Sequence, residues 1–177
     1  MKIEIGGGIA ALDGYVQVDV LPTPANPKVF ADIRALPFRN LEGIYASNVF
    51  EHIANADIVP AMKSCRKALA RGGVLEIYVP DFVWSLRKFL SSRTSVERWG
   101  AALNTIFGNQ ENPGQFHLTG FSVLRMAKCL EMAGFRNIDA KRRRRQSRTC
   151  GWRSVGEFGS VGYVTHLPME VWAVATP

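Results

Sequence analysis

Three cysteines and three histidines in 177 residues leave little material for a disulfide framework or a metal cage. Cys65, Cys129 and Cys150 are scattered and odd in number, as expected of a chain kept in a reducing compartment. None has a partner at metal-ligand spacing, and His52, His117 and His166 are equally dispersed, so the sequence predicts no structural metal. No apolar run approaches the roughly 20 residues of a membrane span. The opening MKIEIGGG enters a strand directly, with neither the apolar core of a signal peptide nor an Arg-rich transit helix, and the expected location is the cytoplasm. Repeats and dividing linkers are missing too. The expectation is one domain over 1–177, large enough to bury a core without staples.

Charge is present but unevenly placed. The net charge is +7, and the run KRRRRQSR at 141–148 holds six of the positive residues, so the rest of the chain is close to neutral. Three readings fit this run. It is an exposed strand end and loop, a seat for a phosphorylated acceptor through bidentate guanidinium–phosphate pairs, or a contact for nucleic acid or an anionic membrane surface. The run contains no aromatic residue on which a base would stack.

Local periodicity predicts strands at 2–5, 15–20, 28–32, 43–47, 74–80, 135–142 and 170–176. Asp57 reads as the N-cap of a helix with Ile58, Met62, Cys65 and Leu69 on one face, ended by Gly72 and Gly73. Helices are expected at 82–91 and 95–107, and another opens at Ser122 with Val123, Met126, Ala127 and Leu130 inward and Gly134 as its stop. Residues 143–168 are rich in Arg, Gly and Ser without a clear period and read as a loop excursion. Alternation of helix and strand in the middle of the chain argues for an α/β fold with a mostly parallel sheet.

In such sheets ligands bind outside the carboxyl ends of the strands, where the strand order reverses. The chemistry-bearing residues lie there. Gly6, Gly7 and Gly8 follow the first strand, Asp19 and Asp32 close the second and third, Asn48, Glu51 and His52 follow the fourth, and Asp81 follows the fifth. Glycines allow positive φ and close approach of a ligand to the backbone, or simply make a tight turn. A carboxylate ending the second strand can accept hydrogen bonds from both ribose hydroxyls, or stand in solvent. GGGIAA satisfies a dinucleotide fingerprint, but that pattern opens a helix and places its acid about 20 residues on. Only six residues separate Gly8 from Tyr15, too few for a helix, and Asp19 comes 13 positions after Gly6. Reading the same stretch as acid-x-Gly-x-Gly-x-small, with Glu4, Gly6, Gly8 and Ala10, fits better.

Taken in order, EIGGG, GYVQVDV, ADIRALPF, IYASNVFEHI, RKALARGGVLEIYVPD, FGNQENPGQFHLTGF and LEMAGF span residues 3–135. The chain thereby resembles the class I S-adenosylmethionine (SAM)-dependent methyltransferases, and among them a compact, type 11-like bacterial subgroup linked to sugar or cell-surface polysaccharide metabolism. Ile5-Gly6-Gly7-Gly8 stands where a leucine-glycine-cysteine-glycine wording is usual, and Ala10 replaces the last glycine. The resemblance implies a Rossmann-like sheet of about seven strands, antiparallel at its last strand, with shortened early crossover helices, and SAM as cofactor. It implies that Gly6 and Gly8 lie under the methionine part of the cofactor, with Glu4 and Gly7 also in the cofactor site. Asp19 would hold the ribose, Asp32 would receive the adenine amine and Ile33 would cover the ring. Asn48 would lie near the methionine end, and Glu51 and His52 would organise the pocket floor.

The implied activity is methyl transfer to a small-molecule or carbohydrate-like acceptor. Transfer to a hydroxyl also needs a base. Asp81 and His117 are the candidates, with His52 third; Asp81 can equally cap the helix at Phe82, and His117 can equally fix its loop. Phe82, Trp84 and Phe116 can wall the acceptor side. Two other functions fit the same sequence: a cofactor-binding partner protein on this fold that has lost turnover, and an RNA-binding or RNA-methylating protein that uses Arg142 to Arg145.

Overall fold

A computed structural model describes residues 1–7, 12–23, 26–91, 96–111, 113–144 and 169–177. Its elements are β1 (Lys2–Ile5), β2 (Val16–Asp19), β3 (Val29–Phe30), β4 (Leu41–Ser47), α1 (Ile58–Ala68), β5 (Leu69–Pro80), α2 (Phe82–Ser91), α3 (Val96–Phe107), α4 (Val123–Met132), β6 (Arg136–Arg144) and β7 (Met169–Thr176). One seven-stranded sheet runs in the order β3-β2-β1-β4-β5-β7-β6. The first five strands pair in parallel, and β7 lies antiparallel between β5 and β6, as expected. Of the expected excursion over 143–168, Arg143 and Arg144 close β6 and the remainder lies outside the described residues.

Alternation along the strands divides the sheet into two unlike faces. Ile3, Ile5, Val18, Ile44, Ala46, Leu75, Ile77, Val79, Val171 and Ala173 are buried in one core cluster with Ile58, Met62 and Cys65 of α1 and Met126 and Leu130 of α4. Each large side chain so buried contributes about 1.5–3 kcal/mol relative to exposure. The register puts Glu4 beside Gln17 and Tyr45, Tyr45 beside Glu76, and Tyr78 beside Trp172 on the other face. That face is bound by ring edges and polar tips. The Tyr45 and Tyr78 rings lie 5.6 Å apart, and the Tyr78 hydroxyl and Trp172 Nε1 both donate to Glu76 Oε1, at 2.9 and 2.8 Å.

The asymmetry follows from the connections. Parallel neighbours are usually joined by a crossover helix, yet among the described residues neither 6–15 nor 20–28 contributes one. The second link carries prolines at 22, 24 and 27, which oppose a helix.

Two expectations about α1 need correction. The helix ends at Ala68, not at Gly72-Gly73; β5 starts at Leu69, paired with Leu41, and pairing resumes at Gly43 with Val74. The intervening residues bulge, and Gly72 takes φ +80° there. Asp57 sits at the cap position without a side-chain cap bond, because its carboxylate pairs with Arg34 at 3.0 Å. Ser122 does cap α4, accepting from the Arg125 N–H at 3.2 Å, and Gly134 follows the helix at φ +89°.

Candidate functional site at the carboxyl ends of the strands

The strand order reverses between β1 and β4, so the crevice lies above their carboxyl ends. Gly6 opens it at φ +70°, and its N–H donates to Val18 O at 3.0 Å, tying the turn to the end of β2. A Cβ on Gly6 would stand 2.5 Å from Val49 Cγ2, so no side chain fits there without moving the β4 turn. At Gly7 a Cβ would collide with the Gln17 side chain. Gln17 Nε2 in turn donates to Glu4, whose Oε2 also accepts the Leu12 N–H at 2.8 Å. Glu4 is 2% exposed and belongs to the underside of the turn, fastening its far end. Burial raises its carboxyl pKa, opposed by the Leu12 N–H and then by Gln17. Gly8 lies outside the described residues. Asn48, at φ 55°, bonds its N–H to Tyr78 O across from Gly6's neighbour Val49.

Asp19 is half-buried at the end of β2. Its Oδ1 accepts the N–H groups of Val20 and Leu21, at 2.7 and 3.2 Å, and no donor among the described residues meets Oδ2. Val20 and Leu21 beside it are 58% and 55% exposed, an apolar surface at the crevice rim that the sequence reading passed over. Asp32 caps the 3-10 turn Ile33–Ala35, accepting the Arg34 N–H at 2.8 Å, and the Arg34 side chain covers both its oxygens. This side-chain bond is the main reason its pKa falls. Ile33 is corrected: it is 5% exposed and packs in the core, so it offers no open face to a ring.

Of its two readings, Asp81 takes that of the cap. It is fully buried, its Oδ1 accepts the Trp84 N–H at 3.0 Å as the cap of α2, and its Oδ2 is paired with Arg142 Nε. Arg142 comes from the basic run. Its neighbours are engaged as well: Lys141 pairs with Asp139 at 2.7 Å, and Arg143 stacks 3.6 Å from the Trp172 ring centroid. Arg145 lies outside the described residues.

A 3-10 turn, Phe50–His52, follows β4, anchored by the fully buried Phe50. Glu51 O accepts the N–H groups of Leu118 and Thr119, at 2.7 and 3.2 Å, which docks the 116–120 loop on this turn. His52 and His117 meet there edge to face, with ring centroids 4.9 Å apart. Nδ1 of each contacts a main-chain carbonyl, Phe116 O and Thr105 O, at 3.0 Å in both cases. Burial lowers both imidazole pKa values, that of His117 to about 4 with the neighbouring His52 charge as the second cause. A base that weak is poorly matched to proton removal near neutral pH. Far apart in sequence, two of the histidines are gathered by the fold beside Glu51.

Beside this pair an open cavity of about 450 Å³ is lined by Phe82, Leu86 and Phe89 of α2, Leu103 and Phe107 of α3, and His117. Of the expected acceptor-side aromatics, Phe82 lines it, while the Trp84 ring lies under Lys88 Nζ at 5.6 Å and Phe116 stands 40% exposed in the loop. Neither Trp84 nor Phe116 is among the lining residues.

No family model matches the chain, and no curated protein does. Solved structures match it over nearly all its length. A SAM-dependent methyltransferase from Archaeoglobus fulgidus aligns with 99% of this chain and 85% of its own at TM-score 0.61 and 14% identity. One from Thermotoga maritima, described as a possible histamine N-methyltransferase, aligns with 99% and 80% at TM-score 0.60 and 16% identity. One from Methanosarcina mazei aligns with 99% and 91% at TM-score 0.59 and 12% identity. The chain has the class I SAM-dependent methyltransferase fold, and among the described residues its first two crossovers contribute no helix. No helix among the described residues is long and apolar enough to cross a membrane.

Proposed function

We propose that this protein is a SAM-dependent methyltransferase acting on a small molecule with an apolar body. One juxtaposition carries the reading. At the switch point the half-buried Gly6 turn, at φ +70°, is bonded to Val18, next to Asp19, whose Oδ2 meets no donor among the described residues. A nucleoside with a zwitterionic tail fits that pairing: the Gly6 turn beside the tail, and Asp19 Oδ2 for the ribose hydroxyls. Val20 and Leu21 offer apolar surface for the purine in place of Ile33. Asp32 can add an acceptor for the exocyclic amine only by sharing oxygens with Arg34. When bound, SAM supplies an electrophilic methyl group on a sulfonium.

What the chain contributes is placement and exclusion of water, which together supply much of the acceleration in such displacements. Phe82, Leu86 and Phe107 line a cavity for the apolar part of the acceptor. This lining favours an acceptor with an apolar body over a bare carbohydrate. Neither Asp81, ion-paired and capping, nor His117, with its lowered pKa, is set up to remove a proton. The engaged Arg142 and Arg143 weigh against the RNA reading.

Isothermal titration with SAM and with S-adenosylhomocysteine tests the proposal. Binding of both at one site per chain is expected. Silence from both, with folded protein confirmed by circular dichroism, sinks it. A labelled methyl group recovered on any member of an acceptor panel then separates an active enzyme from a binding-only relative.

A further inference from the structure

Glu51, His52 and His117 each present a ligand atom, one ring nitrogen from each histidine and a carboxylate oxygen, within 4.8 Å of one another. A bound first-row ion with bonds of about 2.1 Å spaces such atoms roughly 3.0–3.4 Å apart, so small side-chain rotations close the set. The tautomers agree with this use. Nδ1 of His52 faces Phe116 O and Nδ1 of His117 faces Thr105 O, both at 3.0 Å, which makes each Nδ1 the proton-bearing nitrogen. Each Nε2 is then left with its lone pair, the arrangement in which a backbone carbonyl fixes a metal-ligating imidazole. Glu51 is 1% exposed, whereas both histidines are only half-buried, so an ion has an entry path from the histidine side.

We infer that Glu51, His52 and His117 form a binding site for one divalent first-row transition ion. Two imidazoles and one carboxylate suit zinc, cobalt, manganese or iron(II) rather than magnesium or calcium, which prefer all-oxygen shells. Three protein ligands leave at least one position open for water or another oxygen donor. His117 belongs both to this set and to the wall of the 450 Å³ cavity, so the open position lies at the cavity edge. In the setting of the proposed methyltransferase, on which this last step rests, the ion holds a hydroxyl oxygen of the acceptor there. An ion so placed acidifies the hydroxyl it holds. The ion also links the turn after β4 to the 116–120 loop, closing what the Glu51 O bonds to Leu118 and Thr119 begin.

The test uses untagged full-length chain, stripped with EDTA and titrated with zinc by calorimetry and with cobalt by visible absorption, without SAM. One ion per chain is expected, with a dissociation constant of 10 μM or tighter, cobalt bands of a low-coordinate nitrogen–oxygen site, and no response to magnesium. His117→Asn and His52→Asn should each weaken zinc at least tenfold, and Glu51→Gln likewise. Circular dichroism in EDTA checks that each variant folds; should Glu51→Gln not fold, the two histidine variants decide. Absence of stoichiometric zinc binding by the folded wild type, or equal affinity in folded histidine variants, overturns the site. SAM titration in EDTA is read separately, so a chain that binds zinc but no SAM keeps the site and loses the methyltransferase reading.

Discussion

At the end of β2, Asp19 is half-buried, gives one oxygen to the next two N–H groups and keeps the other open to the crevice. At the end of β5, Asp81 is fully buried, with one oxygen capping α2 and the other paired to Arg142 of β6. Both acids end a parallel strand on the ligand side of the same sheet. What separates them is what the rest of the chain brings. Among the described residues the β2 end receives neither a helix start nor a cation, whereas the β5 end receives a helix start and a cation from a strand two places away in the sheet. A strand-end carboxylate is available to a ligand where the fold leaves it half-wet, and becomes part of the frame where a distant partner arrives.

Removing the distant partner should break the comparison most severely. Arg142→Ala strands a carboxylate that has no solvent of its own, and breaking such a pair costs about 3–5 kcal/mol when both partners are buried. Arg142 is 39% exposed, so solvent screens part of the attraction and the expected loss is nearer about 2–3 kcal/mol. Urea unfolding measures it. Adding Asp81→Asn should recover at least half of the loss, since the amide keeps the cap to Trp84 without the charge. No recovery in the double variant would mean that Arg142 stabilises through packing alone and that Asp81 is not held as argued.

Gly6→Ala comes next. A left-handed φ of +70° costs a residue with a Cβ about 2 kcal/mol, and Val49 must also withdraw. Because Gly6 ties the turn to Val18, both stability and SAM affinity should fall. A loss of stability with SAM affinity intact would detach the glycine turn from the ligand and leave it as a packing device.

The opposite pattern is expected at Asp19. Asp19→Asn preserves Oδ1 for Val20 and Leu21 and removes the charge, so unfolding midpoints should hold within about 0.5 kcal/mol. SAM binding should weaken about tenfold, equivalent to about 1.4 kcal/mol. Unchanged affinity would refute the ribose role and make the two strand ends alike after all.

The line between these outcomes is also the line between what could and could not be read from sequence. All seven strands were legible, because apolar alternation and β-branched runs such as VLEIYVP are local signals. So was Ser122, whose partner lies three residues away. Gly72-Gly73 misled because the bulge it forms is set by register with Leu41 of β4, not by the helix before it. Asp57 misled because Arg34 takes its carboxylate. Ile33 and Val20 were indistinguishable by type, and only the tertiary fold buries one and exposes the other. His52 and His117 have no shared motif, and their meeting depends on the loop that docks onto Glu51 O.

Glu4 offers the finest test of how the β2 side is built, since it is a buried acid under the glycine turn that meets no cation among the described residues. It is held instead by the Leu12 N–H and the Gln17 amide, and burial raises its pKa above the ordinary 4.5. A carboxyl group whose folded pKa is raised stabilises the fold in full below its unfolded value, and that contribution disappears as pH climbs through the folded one. Wild type should therefore lose stability from this group as pH rises from 4 towards 7. Glu4→Gln cannot ionise and still offers a carbonyl oxygen to Leu12, so its stability relative to wild type should increase over the same interval. Urea midpoints at pH 4, 5.5 and 7 for both proteins measure the effect, the smallest of the four because two donors already offset much of the burial. Parallel profiles for the two proteins would show that burial does not govern Glu4. An inverted difference would show that a cation reaches it, as Arg142 reaches Asp81.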